Sequence, residues 1–459
     1  MITYSIIKKS ELEGAHRLDA EYYQPEYLLV TQKIKNLPFE NTRISNLLAR
    51  QIVTGSTPKK RDCKNDGTDI KFIKTDTLRE GQIVFDEADY LPLKESVKNS
   101  ELKSGDIIIT IIGATHDIVG RVARIFPSDP KMNINQNVAL LRPKESSFSS
   151  YLSIFLQTKY GREQIWQQSR QTEQVNLNCR EVENILVPLP DKSFIQKIDD
   201  LVVTSYNFTA ESKKIYSQAE NLLLEELGLT NFELEEGLWS VVNLSETKKV
   251  NRIDAEYFQP KYEKIIKKIY KHPTKSIDEL SEFVGHSTQS PYDQNGNVAV
   301  LAQKHMKSDL SIDITAFDNY TSENLIKKND KKFILKNDDI LISSAGQPGL
   351  TCVWIGDHKN KVIPGSFVTV ARPNGEVNPF YVGVFLNTIA GHLQFERDYT
   401  GSIQQYMYPV KIRQIIIPIL SKNIQQKIAD LVRASHEARR KVKELLEEAK
   451  RKVEEMIEG

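Results

Sequence analysis

The chain has 459 residues, 39% of them hydrophobic and 27% charged, with 62 Lys and Arg against 61 Asp and Glu for a net charge of +1. Such a length exceeds one ordinary core and predicts two to three domains. The balanced charge excludes a globally basic nucleic-acid binder, so any DNA surface must be local or completed by a partner. No apolar run is long enough to span a bilayer, and MITYSIIKKSELEG has no basic-then-apolar order of a secretory signal. Cys63, Cys179 and Cys352 stand isolated, without CxxC or a His pair at metal spacing. That pattern argues against a disulfide or zinc scaffold and for a reducing cytoplasm.

The first segment, 1–37, contains Arg17 to Tyr27, RLDAEYYQPEY, which returns at Arg252 to Tyr262 as RIDAEYFQPKY, eight of eleven residues identical at an offset of 235. Self-similarity of this kind marks a duplicated unit. The same offset lays Tyr4 over Trp239, Ser5-Ile6-Ile7 over Ser240-Val241-Val242, and Ser10-Glu11 over Ser245-Glu246. The apolar alternation predicts a short strand, followed by a helix capped by Asp19 or Asp254. The element reads as one of packing and docking rather than catalysis.

Residues 38–190 change to short strands and polar turns: QIVTGSTPKKR, KFIKTDTL, QIVFDEADYL, GDIIITIIGA, VGRVARIF and NVALLRP. Their counterpart is 273–420. Asp106-Ile107-Ile108 lies over Asp339-Ile340-Leu341 and Gly113 over Gly346 at 233, and Arg142-Pro143 over Arg372-Pro373 at 230. The shrinking offset means loops of different length on one scaffold. The loops themselves diverge: TGSTPKKRDCKNDG faces VGHSTQSPYDQNGN, ATHDIVG faces GQPGLTC, and NINQNVA faces VIPGSFVTV. A shared frame with unlike polar loops is what two related binding modules reading different targets require.

Each module returns to helix. Tyr151 to Leu156 and Tyr381 to Leu386 align at 230 as helices packed on the sheets, and ILVPLPDKSFIQKIDDLV aligns with IIIPILSKNIQQKIADLV. Ser193 and Asn423 are the expected N-caps. The central segment, 191–230, shows a four–three seam at Phe194, Ile198, Leu201, Ser205, Phe208, Ser212, Ile215, Ala219, Leu222 and Glu226. The last segment, 421–459, repeats it at Ile424, Ile428, Leu431, Ser435, Ala438, Val442, Leu445, Ala449, Lys452 and Met456. These are the heptads of a coiled coil, and Ser205, Ala219, Ser435, Ala438 and Ala449 permit close approach. Antiparallel pairing within the chain is preferred over pairing in a homodimer. About 34 helical residues make a rod of roughly 50 Å, which measures off roughly 15 base pairs of duplex. Between the first helix and the second module, 231–272 carries the repeated element.

Catalytic signals are weak. Asn378-Pro379-Phe380-Tyr381 resembles the base-holding loop of an adenine methyltransferase, but it has one Pro and aligns with Ser149-Ser150-Tyr151, which predicts a helix start. GQPG from Gly346 is neither a P-loop nor a dinucleotide fingerprint, HExxH and GxSxG do not occur, and no convincing nuclease-type acidic pair is followed by a Lys on one strand.

Two variable modules, each preceded by RxDAEYxQPxY and followed by a PLPxxxxQxI-type heptad helix, resemble the specificity subunit of type I restriction-modification enzymes. The resemblance covers essentially the whole chain. Its strong points are the duplication, TGSTP at Thr54 to Pro58, and PLPDKSFIQKI. The second half matches TGSTP only by GHSTQSP from Gly285 to Pro291, and the family's Glu before Gln at the helix start is Ile195 and Gln425 here. The resemblance implies an α+β chain: two α/β target recognition domains joined by two long antiparallel helices forming a coiled coil, with a pseudo-twofold internal repeat. It implies a non-catalytic DNA-binding subunit in which each domain reads half of a bipartite target and the helices set the spacer. Partners would be double-stranded DNA, two modification (methyltransferase) subunits and restriction subunits. S-adenosylmethionine, ATP and Mg2+ would sit on those partners and this chain would bind no cofactor.

Base readout needs donors and acceptors on loops, with basic residues on phosphates. In the first domain the candidates are Thr54, Ser56, Thr57, Lys59, Lys60, Arg61, Thr75, Thr77, Thr115, His116, Asn133, Asn135, Gln136 and Asn137. In the second they are His286, Ser287, Gln289, Tyr292, Gln303, Lys304, His305, Ser343, Ser344, Gln347, Ser366, Gln404 and Gln405. The alternatives are the recognition subunit of a related restriction or phage-defence system, and a coiled-coil protein-interaction scaffold. Steeply salt-dependent DNA binding separates the scaffold from the other two.

Overall fold

The strands Ile107–Thr110 and Ile340–Ser343 are buried at every position. A strand without a solvated face must be covered on both sides, and this requirement organises each half of the protein. The computed structural model describes residues 4–10, 12, 17–58, 70–79, 81–171, 174–232, 239–356, 358–401 and 405–459. It divides into two units, one formed by 1–208 with 441–459 and the other by 209–440.

In the first unit the buried strand lies in a four-stranded antiparallel sheet, ordered Val53–Thr54, Val138–Leu141, Ile107–Thr110, Val122–Arg124. Ile107 and Ile109 share a core with Tyr151, Phe155 and Ile165 of the helices Ser147–Gln157 and Lys159–Gln168. Ile108, one residue out of phase, packs with Ile73, Met132 and Ile134 of a second sheet. That sheet runs Met132–Ile134, Ile70–Ile73, Asp89–Leu91, the first pair parallel and the second antiparallel. The period of two along a strand therefore serves two different cores.

The second unit has the same topology. Its four-stranded sheet runs Ser281–Gly285, Val368–Pro373, Ile340–Ser343, Thr351–Val353. Its three-stranded sheet runs Lys361–Pro364, Val298–Leu301, Tyr320–Thr321, again parallel then antiparallel. The polar anchors are duplicated as well. Arg142 holds Asp106 through two hydrogen bonds of 2.7 Å, and Arg372 holds Asp339 at 2.8 and 2.7 Å. Tyr151 donates to the Pro188 carbonyl at 2.8 Å and Tyr381 to that of Pro418 at 2.6 Å. Met132–Ile134 and Lys361–Pro364 are strands inside segments that the sequence reading treats as loops, because a three- or four-residue strand is too short to show a period.

The helices Lys192–Glu226 and Lys422–Glu458 contribute antiparallel stretches to each unit. In the first, Ile198 and Val202 share a core with Ala449, Val453 and Ile457, and Lys441 lies over the Phe208 ring. In the second, Tyr216, Ala219 and Leu223 pack with Ile428, Ala429 and Val432. Ser212 and Ser435 each donate to the other's carbonyl, at 3.0 and 2.9 Å, so small residues do bring the backbones close. The pairing is within one chain.

The seam shares Ile198, Ser205, Ser212 and Ala219 with the expected one. Its alternate positions move one residue on: Val202, Tyr216 and Leu223 are buried, whereas Leu201, Ile215 and Leu222 are only half-buried. Each helix faces a domain as well as its partner, which turns the buried stripe toward the sum of both. The caps shift too. Asp191, not Ser193, accepts from the Phe194 amide at 2.9 Å, and Ser421, not Asn423, accepts from the Ile424 amide at 3.4 Å. Gly228 ends the first helix at φ +63°, with its amide on the Glu225 carbonyl and the Leu229 amide on that of Leu224, a Schellman closure.

The repeated element differs from expectation in two respects. Ser5–Ile7 and Ser240–Val242 form no strand. The Asp19 side chain makes no cap, Asp254 opens a turn rather than a helix, and each carboxylate is held by the arginine two residues before it: Arg17 to Asp19 at 2.6 Å twice, and Arg252 to Asp254 at 2.8 and 2.6 Å. These ion pairs hold both carboxyls below the usual carboxylate range. The helices that follow, Pro25–Lys35 and Pro260–Ile269, start on Pro at N1, where a missing amide costs nothing.

Candidate nucleic-acid interface

Strand polarity collects the variable loops at one edge of each unit. In the first, Val53–Thr54 leads to Gly55–Pro58, Ile70–Ile73 to Thr75–Thr77, Ile107–Thr110 toward Thr115–His116, and Met132–Ile134 to Asn135–Asn137. Backbone hydrogen bonds tie these ends together: Gly55 amide to Asn135 carbonyl at 3.2 Å, Asn135 amide to Ile73 carbonyl at 3.0 Å, and Ile111 amide to Asn137 carbonyl at 2.9 Å. A Cβ on Gly55 would lie 1.7 Å from the Ile134 carbonyl oxygen, so only glycine fits there.

On this edge Ser56, Thr57, Thr115 and Gln136 are exposed, and Thr54, Thr75, His116, Asn135 and Asn137 are half-buried. The Thr57 hydroxyl bonds the Gln136 side-chain oxygen, and the Asn135 side chain accepts from the Asn137 amide at 3.1 Å. Two candidates are interior. Asn133 is spent on Ser96, Val97 and Ser100, and the Thr77 hydroxyl on the Lys74 backbone. Lys59, Lys60 and Arg61 lie outside the described residues.

The second unit gathers the equivalent ends: His286–Ser290, Gln303–His305, Ser344–Gly349, Gly365–Phe367 and Gln405–Tyr408. The Gly365 amide donates to Leu301 at 2.8 Å, the Ser344 amide to Phe367 at 2.8 Å, and the Met407 amide to Ser344 at 2.9 Å. Gln289, Tyr292, Lys304, Gln347 and Gln405 are exposed, and His286, Gln303 and Ser366 are half-buried. Four candidates are interior. Ser287 donates to the Pro364 carbonyl, Ser343 to that of Ala345, and Ser344 pairs with Thr369. His305 accepts from the Ala302 amide at 2.9 Å, and burial lowers its pKa, keeping the ring neutral. Gln404 lies outside the described residues.

The six interior candidates are corrected on one ground: each is buried, and a side chain inside the fold is unavailable to a base edge. Sequence reasoning passed over three residues that the edge displays. Phe367 and Tyr408 are 57% and 53% exposed, and Tyr406 stands between them, its ring centroid 6.3 Å from Phe367 and 4.7 Å from Tyr408. The signal was available in the alignment at 230, which lays Phe367, Tyr406 and Tyr408 over Asn137, Asn176 and Asn178.

A family model described as type I restriction modification DNA specificity domain matches residues 38–220 and again 272–448. The specificity subunit of the type I restriction enzyme EcoBI from Escherichia coli is 28% identical over 134 residues, 29% of this chain and 27% of that protein. The matched region thus spans about a quarter of that relative's length. Among solved structures, the S subunit of a type I restriction-modification system from M. genitalium aligns over 92% of this chain and 96% of its own, at 13% identity and a TM-score of 0.41. The HsdS subunit from Thermoanaerobacter tengcongensis aligns over 90% and 97%, at 15% identity and a TM-score of 0.28.

Proposed function

The chain belongs to the family of type I restriction-modification DNA specificity domains, and from that premise we propose that it is the non-catalytic subunit giving such a complex its DNA sequence. Each unit reads one half of a bipartite target with the loop edge described above, and the paired helices fix the unread spacer. The observation that carries this reading is the duplicated frame with unlike edges. Two modules that share sheet order, anchors and turn backbone, yet present different side chains, are suited to two different base sequences on one duplex.

The partners are two copies of a modification (methyltransferase) subunit, with restriction subunits added, in the cytoplasm. S-adenosylmethionine, ATP and Mg2+ belong to them. The repeated element supports paired docking. Tyr4, Ile6 and Leu18 are 81%, 91% and 87% exposed, and their equivalents Trp239, Val241 and Ile253 are 77%, 86% and 89% exposed. Large apolar side chains presented twice in one pattern suit two identical partners.

A domain exchange tests the proposal. Replacing 38–190 by the matching domain of a relative and mapping methylated adenines in cells should change one half of the target and leave the other. A change in both halves, or in neither, would sink the modular reading. DNA binding by the assembled complex should weaken steeply with salt; a flat dependence would favour a protein-binding scaffold instead.

A further inference from the structure

The turn that closes each loop edge is built twice on one backbone. In the first unit, Asn135 donates to Ile73, Val138 donates to Asn135, and the Asn137 carbonyl accepts from Ile111. In the second, Gly365 donates to Leu301, Val368 donates to Gly365, and the Phe367 carbonyl accepts from Ser344. These three bonds correspond one to one, so the middle of each turn points the same way within its own unit while its chemistry changes. Asn135-Gln136-Asn137 becomes Gly365-Ser366-Phe367.

A phenylalanine ring 57% exposed on a polar edge gives up much of the burial that makes such a ring favourable. Tyr406 meets it edge-on with ring centroids 6.3 Å apart, and Tyr408 in turn packs against Tyr406. Elsewhere on the same edge, Gln347 and Gln405 are exposed amides. In a major groove the apolar feature that distinguishes one base from the rest is the thymine C5-methyl group, whereas amides suit the purine edge of adenine.

We infer that the two modules read by different chemistry: the second uses Phe367 to contact a thymine methyl, where the first uses amides of the Asn135–Asn137 turn on hydrogen-bonding base edges. The inference rests on the DNA-reading function proposed above and adds a specificity-determining residue to it.

The test uses the chain assembled with its methyltransferase partners and duplexes carrying the target mapped from genomic methylation. Replacing thymine by deoxyuridine removes only the C5-methyl. In the half read by the second module this should weaken binding roughly fourfold per contacted methyl. The same exchange in the other half should leave affinity unchanged. Phe367→Asn should abolish the uracil penalty, and Phe367→Leu, which keeps an apolar tip, should retain it. An equal effect in both halves, no effect in the second, a penalty that survives F367N, or a second half-site without thymine would each overturn the inference. Loss of binding to F367N with no uracil effect in the parent would instead mark the ring as a wedge between base steps, also against it. A complex with no preference for any bipartite target would overturn the DNA-reading function itself.

Discussion

The Asp106–Arg142 and Asp339–Arg372 pairs are the same device in both units, whereas the turns at Asn135–Asn137 and Gly365–Phe367 share only their backbone. The difference lies in solvation. Asp106 and Asp339 are 1% and 0% exposed, and a buried charge that loses its partner is strongly destabilising, so neither residue can change alone. Exposed turn side chains carry little folding energy and are free to vary with the DNA. The frame is therefore fixed by burial, and the side chains that differ lie where burial ends.

The largest expected effect comes from breaking the shared device. Asp339→Ala should cost about 3–5 kcal/mol in urea unfolding. Asp106→Ala should fall toward the lower end, because the Arg142 side chain is 23% exposed and Arg372 only 10%, and water can partly solvate the orphaned guanidinium. Equal losses would mean that burial of the arginine is not what sets the cost.

The glycines that face each other in the two sequences, Gly55 and Gly285, should respond unequally. Gly55→Ala drives a Cβ into the Ile134 carbonyl and should cost about 1–3 kcal/mol while blurring recognition of the first half-site. Gly285 pairs with Val370 as Val53 pairs with Leu140, two residues before the close approach; a Cβ there would meet the Phe333 ring at an ordinary 3.4 Å, so Gly285→Ala should leave the melting temperature and both half-sites in place. Thermal melts and methylation maps of the two variants would decide it.

Tyr151→Phe and Tyr381→Phe each delete one buried hydrogen bond to a proline carbonyl. Each should lose about 1–2 kcal/mol, and the two losses should match, since the rings are equally buried. A clear inequality, read by denaturant midpoint, would show that the frames are less alike than their topology.

The smallest effect concerns the repeated element. Hydrogen bonding to Arg17 and Arg252 lowers the pKa of Asp19 and Asp254. A depressed carboxyl contributes stability above its unfolded value of about 3.9, and that contribution is lost as pH falls through the lower folded value. Both carboxylates are more than a third exposed, so screening keeps the gain small. Amide protection in residues 17–24 and 252–259, corrected for the intrinsic pH dependence of exchange, should fall together below about pH 4; a fall in one alone would break the equivalence of the two elements.

The duplication, the order of modules and helices and the absence of a catalytic motif were legible in the residues, because identical strings at offsets of 235 to 230 need no geometry to be recognised. The helix start at Asn378 was legible too, its side chain capping the Phe380 amide at 3.0 Å. The cap positions and the seam register were missed by one or two residues, since a heptad string fits two neighbouring registers until the domain on the other side of the helix selects one.

For the reading edge, the sequence by itself determined which segments vary and that polar groups dominate them. Only the tertiary structure decided which of those groups reach the surface. Asn133 and Asn135 look alike in the chain, yet one lies on a strand between two cores with every polar atom paired inside, and the other opens the turn beyond it. A two-residue step across a strand end separates interior from edge, and strand ends are set by pairing partners far along the chain: Ile70–Ile73 for one module, Val298–Leu301 for the other. That long-range pairing is what local residue types cannot encode, and it is what placed Phe367, unremarked in the string, 57% exposed at the edge.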